Sequence, residues 1–312
     1  MYARLAEVVR SGFTESVHFG SVAGLAPDGT LALSLGPVDE PMLPRSSAKP
    51  FQSLACLSSG AALYGSRLAI AAGSHTGEDF HVTLVGKMLD EAGLGPDALR
   101  CPPDWPEDQA TRHALIRSGE DRSRVRMNCS GKHAAMLMAC VASGWDTASY
   151  LNVSHPMQRR VRSVIQRLSG EKSAHTAVDG CGAPLFSMSL TGLARAVRAL
   201  ATARPDTPER AVADAMRSFP EFVGGTGHPN TELMRALPGS VVKGGAEGVL
   251  VAVTSEGHAV AVKVIDGGPR ATSAIALAAL AALGADVTGA ESFATIPVLG
   301  GGRPVGEIHA TL

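Results

Sequence analysis

The segment "RSSAKP" (residues 45–50) combines hydroxyl groups and an amine at a spacing that could support nucleophilic catalysis. Ser46 and Lys49 are three residues apart, and residues at that spacing share one face of a helix. Ser47 is less well placed, because it is only two residues from the lysine. Pro50 is tolerated only in the first turn of a helix, so we expect the helix to begin near Ser46. The residues alone also fit a helix cap with a solvent-exposed lysine.

A second lysine is followed by two glycines in the segment "VVKGGAEG" (residues 241–248). Lys243, Gly244 and Gly245 precede a predicted hairpin. The arrangement is similar to the K-T-G element that accompanies S-x-x-K in penicillin-recognising serine enzymes, with glycine here in the middle position. A surface lysine before a turn is the alternative. The two elements together favour a serine–lysine centre more strongly than either does alone.

Two further glycine-rich segments contain thiols. Cys129 and Lys132 lie in "NCSGK", and Asp179 and Cys181 lie in "DGCGAP". Two thiolates suit zinc, although there is no C-x-x-C pair and lysine is a rare ligand because it must lose its proton. Buried thiols without a metal are the alternative. Histidines also occur in such segments, where each could bind a ligand or transfer protons; they are His75, His133 and His228.

Strand patterns lie at both ends of the chain and helical patterns lie between them. β-Prone runs flank turns at residues 27–29 and 256–257, and residues 304–312 could form a final strand. Helical periodicity is present at about residues 51–59, 78–92, 132–142, 156–168, 190–203, 208–218, 231–237 and 270–283. We therefore predict an α/β (α+β) fold in one domain over residues 1–312. Its antiparallel sheet would come from about 1–36 and 238–312, with a helical middle at about 45–237.

Composition argues against several functional classes. The formal net charge is −1 and aromatic residues make up 4%, so neither a basic field nor a stacking platform for nucleic acid is expected. No apolar run approaches the roughly 18 residues of a membrane span. Five cysteines without an export signal predict reduced thiols and a cytoplasmic location.

The order of the polar segments resembles that of a known family. "RSSAKP", "SHTGEDFH", "NCSGKH", "SHPMQRRV", "DGCGAP" and "VVKGGAEG" follow one another from about residue 45 to 248. In these segments the chain resembles the Rhizobium-type (class-three) L-asparaginases, the asparaginase II family. The resemblance implies a fold related to serine β-lactamases and glutaminases, a homodimer, and hydrolysis of L-asparagine to L-aspartate and ammonia.

The resemblance also implies roles for individual residues. Two serine–lysine pairs would carry the reaction, Ser46 with Lys49 and Ser74 with Lys243. Ser46 would be the nucleophile and Lys49 its base, while Ser74 and Lys243 would tune that base and relay protons. Residues expected to contact substrate are Arg45, Asn128, His133, Gly244 and Gly245. A zinc ion, not necessarily required for the chemistry, would be held by Cys129, Lys132 and Cys181, with Asp179 acting through water or supporting the ligands.

Two alternative functions stay open at this level. The first is a serine-type amidohydrolase of the same fold that acts on glutamine, a peptide or a β-lactam. The second is a zinc-binding or ligand-binding protein without catalysis. Comparison of turnover on asparagine, glutamine, a peptide and a β-lactam would separate these alternatives from an L-asparaginase.

Overall fold

An eight-stranded antiparallel sheet joins the two ends of the chain in the computed structural model, which describes all 312 residues. The strands are β1 (Ala3–Arg10), β2 (Phe13–Leu25), β3 (Leu31–Leu35), β4 (Thr176–Val178), β5 (Pro184–Phe186), β6 (Val241–Gly245), β7 (Val249–Val253), β8 (Ala259–Val264), β9 (Thr295–Gly300) and β10 (Arg303–Ala310). The order across the large sheet is β6-β7-β8-β2-β1-β10-β9, with β3 paired to β2, while β4 and β5 form a separate hairpin. The predicted sheet from both termini is confirmed.

Helices fill the middle of the chain. They are α1 (Lys49–Leu57), α2 (Gly65–Ala71), α3 (Asp79–Glu91), α4 (Gln109–Ser118), α5 (Ser130–Ser143), α6 (Pro156–Ser169), α7 (Leu190–Ala201), α8 (Pro208–Ser218), α9 (Pro220–Val223), α10 (Pro229–Ala236), α11 (Thr272–Ala282) and α12 (Glu291–Ala294). No helix has the length and apolarity that crossing a membrane requires.

The sheet is buried because helices cover its centre. Both α7 and α11 pack on β7 and β8. Every residue of β7 is buried, although successive side chains of a strand point to opposite faces. A continuous apolar cluster of 79 buried residues runs through the sheet and the helices. The assignment of residues 1–312 to one domain stays a prediction.

Two local features of this scaffold position the polar segments. A 3₁₀ turn at Arg45–Ala48 leads directly into α1, with Pro50 in the first helical turn as the sequence predicts. This turn packs against β6, which lies at one edge of the sheet. A Cβ on Gly245 would lie 2.9 Å from the carbonyl oxygen of Pro44 and 3.2 Å from the backbone nitrogen of Ser46. Glycine therefore lets the sheet edge and the serine turn touch.

Candidate active site

The hydroxyl of Ser74 lies between two lysine amines. Lys49 Nζ is 2.8 Å from Ser74 Oγ, and Lys243 Nζ is 2.9 Å from the same oxygen. Lys49 also donates to the carbonyl oxygen of Asn128 at 3.2 Å, and Lys243 donates to that of Gly244 at 2.6 Å. Three polar segments that are distant in the sequence thus meet at one oxygen atom.

Both amines are removed from solvent, with 1% exposure for Lys49 and none for Lys243. Burial holds the pKa of Lys243 well below its ordinary value, and the positive charge of Lys49 lowers it further. No carboxylate forms an ion pair with either amine. Above its lowered pKa a buried amine is neutral, and a neutral amine can accept a proton from a hydroxyl.

Ser46 lines the same cavity as Ser74, but it is not hydrogen-bonded to Lys49. The i, i+3 spacing brings Ser46 to the site, while the amine of Lys49 turns toward Ser74 and Asn128. The structure therefore has no direct hydrogen bond between Ser46 and Lys49, and Ser74 is the hydroxyl that both lysines share. The side chain of Ser47 is buried and donates to the carbonyl oxygen of Pro44 at 2.6 Å, which excludes it from the cavity.

Arg45, immediately before Ser46, has an unusual backbone conformation. Its φ of 50° is in the left-handed region that few residues other than glycine adopt. Its Nε donates to Asp179 at 2.7 Å, and its Nη1 lies 3.5 Å from a carboxylate oxygen of Glu247. These ion pairs hold the strained turn, and such strain is common beside reactive groups. Asp179 thus supports the serine turn.

The cavity around the two serines has a volume of about 740 Å³. Of the predicted contact residues, Asn128, Gly244 and Gly245 lie on its wall. His228, one of the three histidines that the sequence singled out, also lies on the wall, whereas the sequence did not point to Glu107, Asn230 or Arg270. Asn230 accepts from the backbone N–H of Gly244 at 2.9 Å and so fixes the end of β6.

His133 corrects one expectation. It has no exposed surface, is not on the cavity wall, and its Nδ1 is 2.7 Å from the hydroxyl of Tyr150. Burial lowers the pKa of His133. Because α5 is buried over Ser130–Cys140, a residue in its first turn points into the core rather than toward substrate.

The predicted zinc ligands form a buried cluster behind the cavity. Lys132 donates to the Sγ of Cys181 at 3.0 Å, and this sulfur is 3.7 Å from a carboxylate oxygen of Asp179. Cys129 and Cys181 are 3% and 1% exposed. The adjacent Cys129 thiol and the positive charge of Lys132 lower the pKa of Cys181, whereas the proximity of Cys181 and burial raise that of Cys129, whose Sγ donates to Oδ1 of Asn128 at 3.1 Å.

The donor set of this cluster fits zinc only if the lysine takes part. No group of three His, Cys, Asp or Glu side chains is arranged to hold a metal ion. Burial alone would lower the pKa of Lys132, but the adjacent Cys181 and Cys129 raise it. Without metal the cluster is therefore an ammonium–thiolate pair, and zinc would have to displace the ammonium proton.

Comparison with known proteins places this geometry in a family. Solved structures similar to the chain include a β-lactamase (Mb2281c) from Mycobacterium bovis, with 14% identity, a TM-score of 0.49, and coverage of 85% of this chain and 94% of that one. Another is Mglu in its native form, with 14% identity, a TM-score of 0.46, and coverage of 91% and 66%. A third is a putative β-lactamase from Bacteroides dorei, with 14% identity, a TM-score of 0.43, and coverage of 82% and 91%.

No curated protein matches the sequence. The chain spans about two thirds of the length of Mglu. All three TM-scores are below 0.5, and the assignment rests instead on the sequence. The family model described as L-asparaginase II matches residues 6–310, which include every polar segment discussed above. The chain therefore belongs to the asparaginase II family.

Proposed function

We propose that this amidohydrolase cleaves the side-chain amide of L-asparagine to L-aspartate and ammonia through serine–lysine catalysis. The observation that supports the proposal most is the Ser74 hydroxyl held by Lys49 and Lys243, beside Ser46 in one cavity. Membership of the family makes an amide the expected substrate.

Ser46 Oγ attacks the amide carbon, and its proton passes to Lys49 as Lys49 passes a proton through the Ser74 hydroxyl to the neutral amine of Lys243. The tetrahedral intermediate collapses as the nitrogen takes up a proton from Lys49 and leaves as ammonia, so that an aspartyl ester remains on Ser46. Lys243 returns its extra proton to Lys49 through Ser74. Water then hydrolyses this ester and regenerates the hydroxyl. Ser74 connects Lys49 with Lys243, whose lowered pKa leaves its amine neutral at rest and able to hold a proton for the lifetime of the tetrahedral intermediate.

Zinc is part of the proposal as a bound ion near this centre. Cys129, Lys132 and Cys181 would hold it, with Asp179 supporting them through its contact with Cys181. When bound, zinc would supply positive charge behind the cavity. The homodimer and the cytoplasmic location stay predictions.

The test measures ammonia release from L-asparagine and L-glutamine, and hydrolysis of nitrocefin, by the wild type and by Ser46→Ala and Ser74→Ala. Rapid acid quenching and peptide mapping then locate the aspartyl ester. We expect asparagine to be preferred and the ester to be on Ser46. Turnover of asparagine that survives in Ser46→Ala, or an ester on Ser74, would contradict the assigned nucleophile. Preference for glutamine or nitrocefin would favour the alternative hydrolases, and the absence of any turnover would favour a binding protein.

A further inference from the structure

Two glutamates line the cavity, and their electrostatic surroundings differ. Glu247 is 3.5 Å from the guanidinium of Arg45, which neutralises it. Glu107 has no basic side chain at ion-pair distance, and its only side-chain partner is the neutral amide of Asn128, whose Nδ2 donates to Oε1 at 2.6 Å. Glu107 is therefore an exposed carboxylate on the cavity wall with one oxygen, Oε2, free.

Glu107 is connected to the reactive centre by a short chain of contacts. Asn128 binds Glu107 through its side chain, and its backbone carbonyl oxygen accepts from Lys49 at 3.2 Å. Lys49 in turn contacts Ser74. One residue thus separates the free carboxylate from a proposed catalytic amine.

None of the basic groups around the cavity forms an ion pair with Glu107. Arg270, also on the cavity wall, donates instead to His18 and Ser16, and Lys49 donates to Ser74 and Asn128. Burial holds the pKa of Lys243 well below its ordinary value, and burial also lowers the pKa of His228 to about 4. Both side chains are accordingly poor counter-ions. A carboxylate without an ion-pair partner on the wall of a cleft attracts a cationic ligand group and disfavours an anionic one.

We propose that Glu107 binds the α-ammonium group of the substrate and restricts the enzyme to amides of amino acids with a free amino group. This inference rests on the proposed function. Asn128 would orient the carboxylate by holding Oε1, while Oε2 accepts from the ammonium. Blocked amino acids and amides within a peptide would lack the cation and be poor substrates.

A binding experiment tests this without turnover. L-aspartate and succinate carry the same two carboxylates and differ by the ammonium group. We expect calorimetry to show that wild type binds L-aspartate about 10- to 100-fold more tightly than succinate, and that Glu107→Gln loses this preference while its succinate affinity stays the same or rises. Glu120→Gln is the matched control, because Glu120 is an exposed glutamate that is not part of the cavity wall.

Kinetics separate substrate recognition from a positioning role. If Glu107 only orients Asn128, or only stabilises the beginning of α4, Glu107→Gln should slow L-asparagine and N-acetyl-L-asparagine by the same factor. If it binds the ammonium, kcat/KM should fall by about 10- to 100-fold for L-asparagine and stay nearly constant for the acetylated substrate.

Equal affinities of the wild type for L-aspartate and succinate would overturn the inference even if asparagine is hydrolysed. An equal loss on both amides in Glu107→Gln would overturn it as well. Conversely, a protein that prefers L-aspartate through Glu107 but does not release ammonia would refute the proposed hydrolysis and leave the ammonium site standing.

Discussion

Lys49 and Lys243 direct their amines at the same hydroxyl oxygen, that of Ser74, from distances of 2.8 and 2.9 Å. Two ammonium ions so close to one another and to no carboxylate would repel, and burial makes their charges more costly still. The arrangement is stable if at least one amine is neutral. The lowered pKa of Lys243 indicates that the amine of Lys243 is the neutral one.

The first prediction concerns the removal of the Lys243 amine. Lys243→Met keeps an unbranched chain of similar length but cannot exchange a proton, so we expect kcat to fall by about 10²- to 10⁴-fold. Because the variant no longer buries an amine, its free energy of unfolding should rise by roughly 1 kcal/mol or more. Ammonia release and denaturant titration measure the two effects.

Lys87→Met is the control for this change, since Lys87 is exposed on α3. Lys87→Met should leave kcat and the free energy of unfolding nearly unaltered. If Lys243→Met were as active as the wild type, Lys243 could not be part of the proton path.

The second prediction is the pH dependence of stability that follows from the lowered pKa of Lys243. Between that value and the ordinary lysine value, the unfolded chain binds a proton that the folded chain does not. The free energy of unfolding of the wild type should therefore fall, relative to Lys243→Met, as the pH decreases through this window, and the difference should level off below it. Denaturant titrations of both proteins across the alkaline range measure the difference. A constant difference would mean that Lys243 has an ordinary pKa in the folded protein.

The third prediction uses the close contact at Gly245. In Gly245→Ala the new Cβ would lie 2.9 Å from the Pro44 carbonyl oxygen and 3.0 Å from the Ser47 nitrogen, both of which are backbone atoms. Strand β6 and the serine turn must then separate, which we expect to cost about 1–3 kcal/mol and to lower kcat. Gly86→Ala in α3 is the matched control, since its Cβ would meet nothing within 4 Å. It should instead stabilise the helix by about 0.5–1 kcal/mol with unchanged activity. If Gly245→Ala and Gly86→Ala had the same stability and the same kcat, the close contact of Gly245 with the serine turn would be unimportant.

The fourth prediction tests the zinc proposal. Purified wild type should contain zinc by elemental analysis, and Cys181→Ser should contain much less, because serine is a poor zinc ligand compared with a thiolate. Cys140→Ala is the control, as Cys140 is a buried thiol in α5 outside the cluster. A wild type free of zinc, with activity indifferent to chelator, would remove the metal from the proposal.

Sequence patterns predicted the parts of this fold that depend on local signals. The two hairpins and the longer helices have clear periodicity or turn residues. Helix α4 was missed because its sequence, "QATRHALIRS", buries only Leu115 and so has little apolar periodicity. The short helix α2 and the edge strand β9 were missed for a similar reason, since neither is long enough to establish a pattern.

The candidate site was predictable as a set of segments but not as a set of contacts. The i, i+3 rule brought Ser46 and Lys49 to one place, yet it could not tell that the long side chain of Lys49 would extend to Ser74, which depends on how α1 packs. Glu107 gave no signal of its own, because Asp108 beside it caps α4 and the acidic pair fits an ordinary helix beginning. His133 lies away from the cavity because membership of a glycine-rich segment does not determine on which side of a buried helix a residue lies.

The contact between Ser74 and Lys243 spans 169 residues, whereas that between Ser74 and Lys49 spans 25. Strand β6 contributes Lys243 from the edge of a sheet that needs both chain ends. Long-range pairing of this kind forms slowly compared with helices. During refolding, helical ellipticity should therefore recover before ammonia release does, so that the return of activity reports the docking of the sheet edge onto the helical layer rather than the formation of either part.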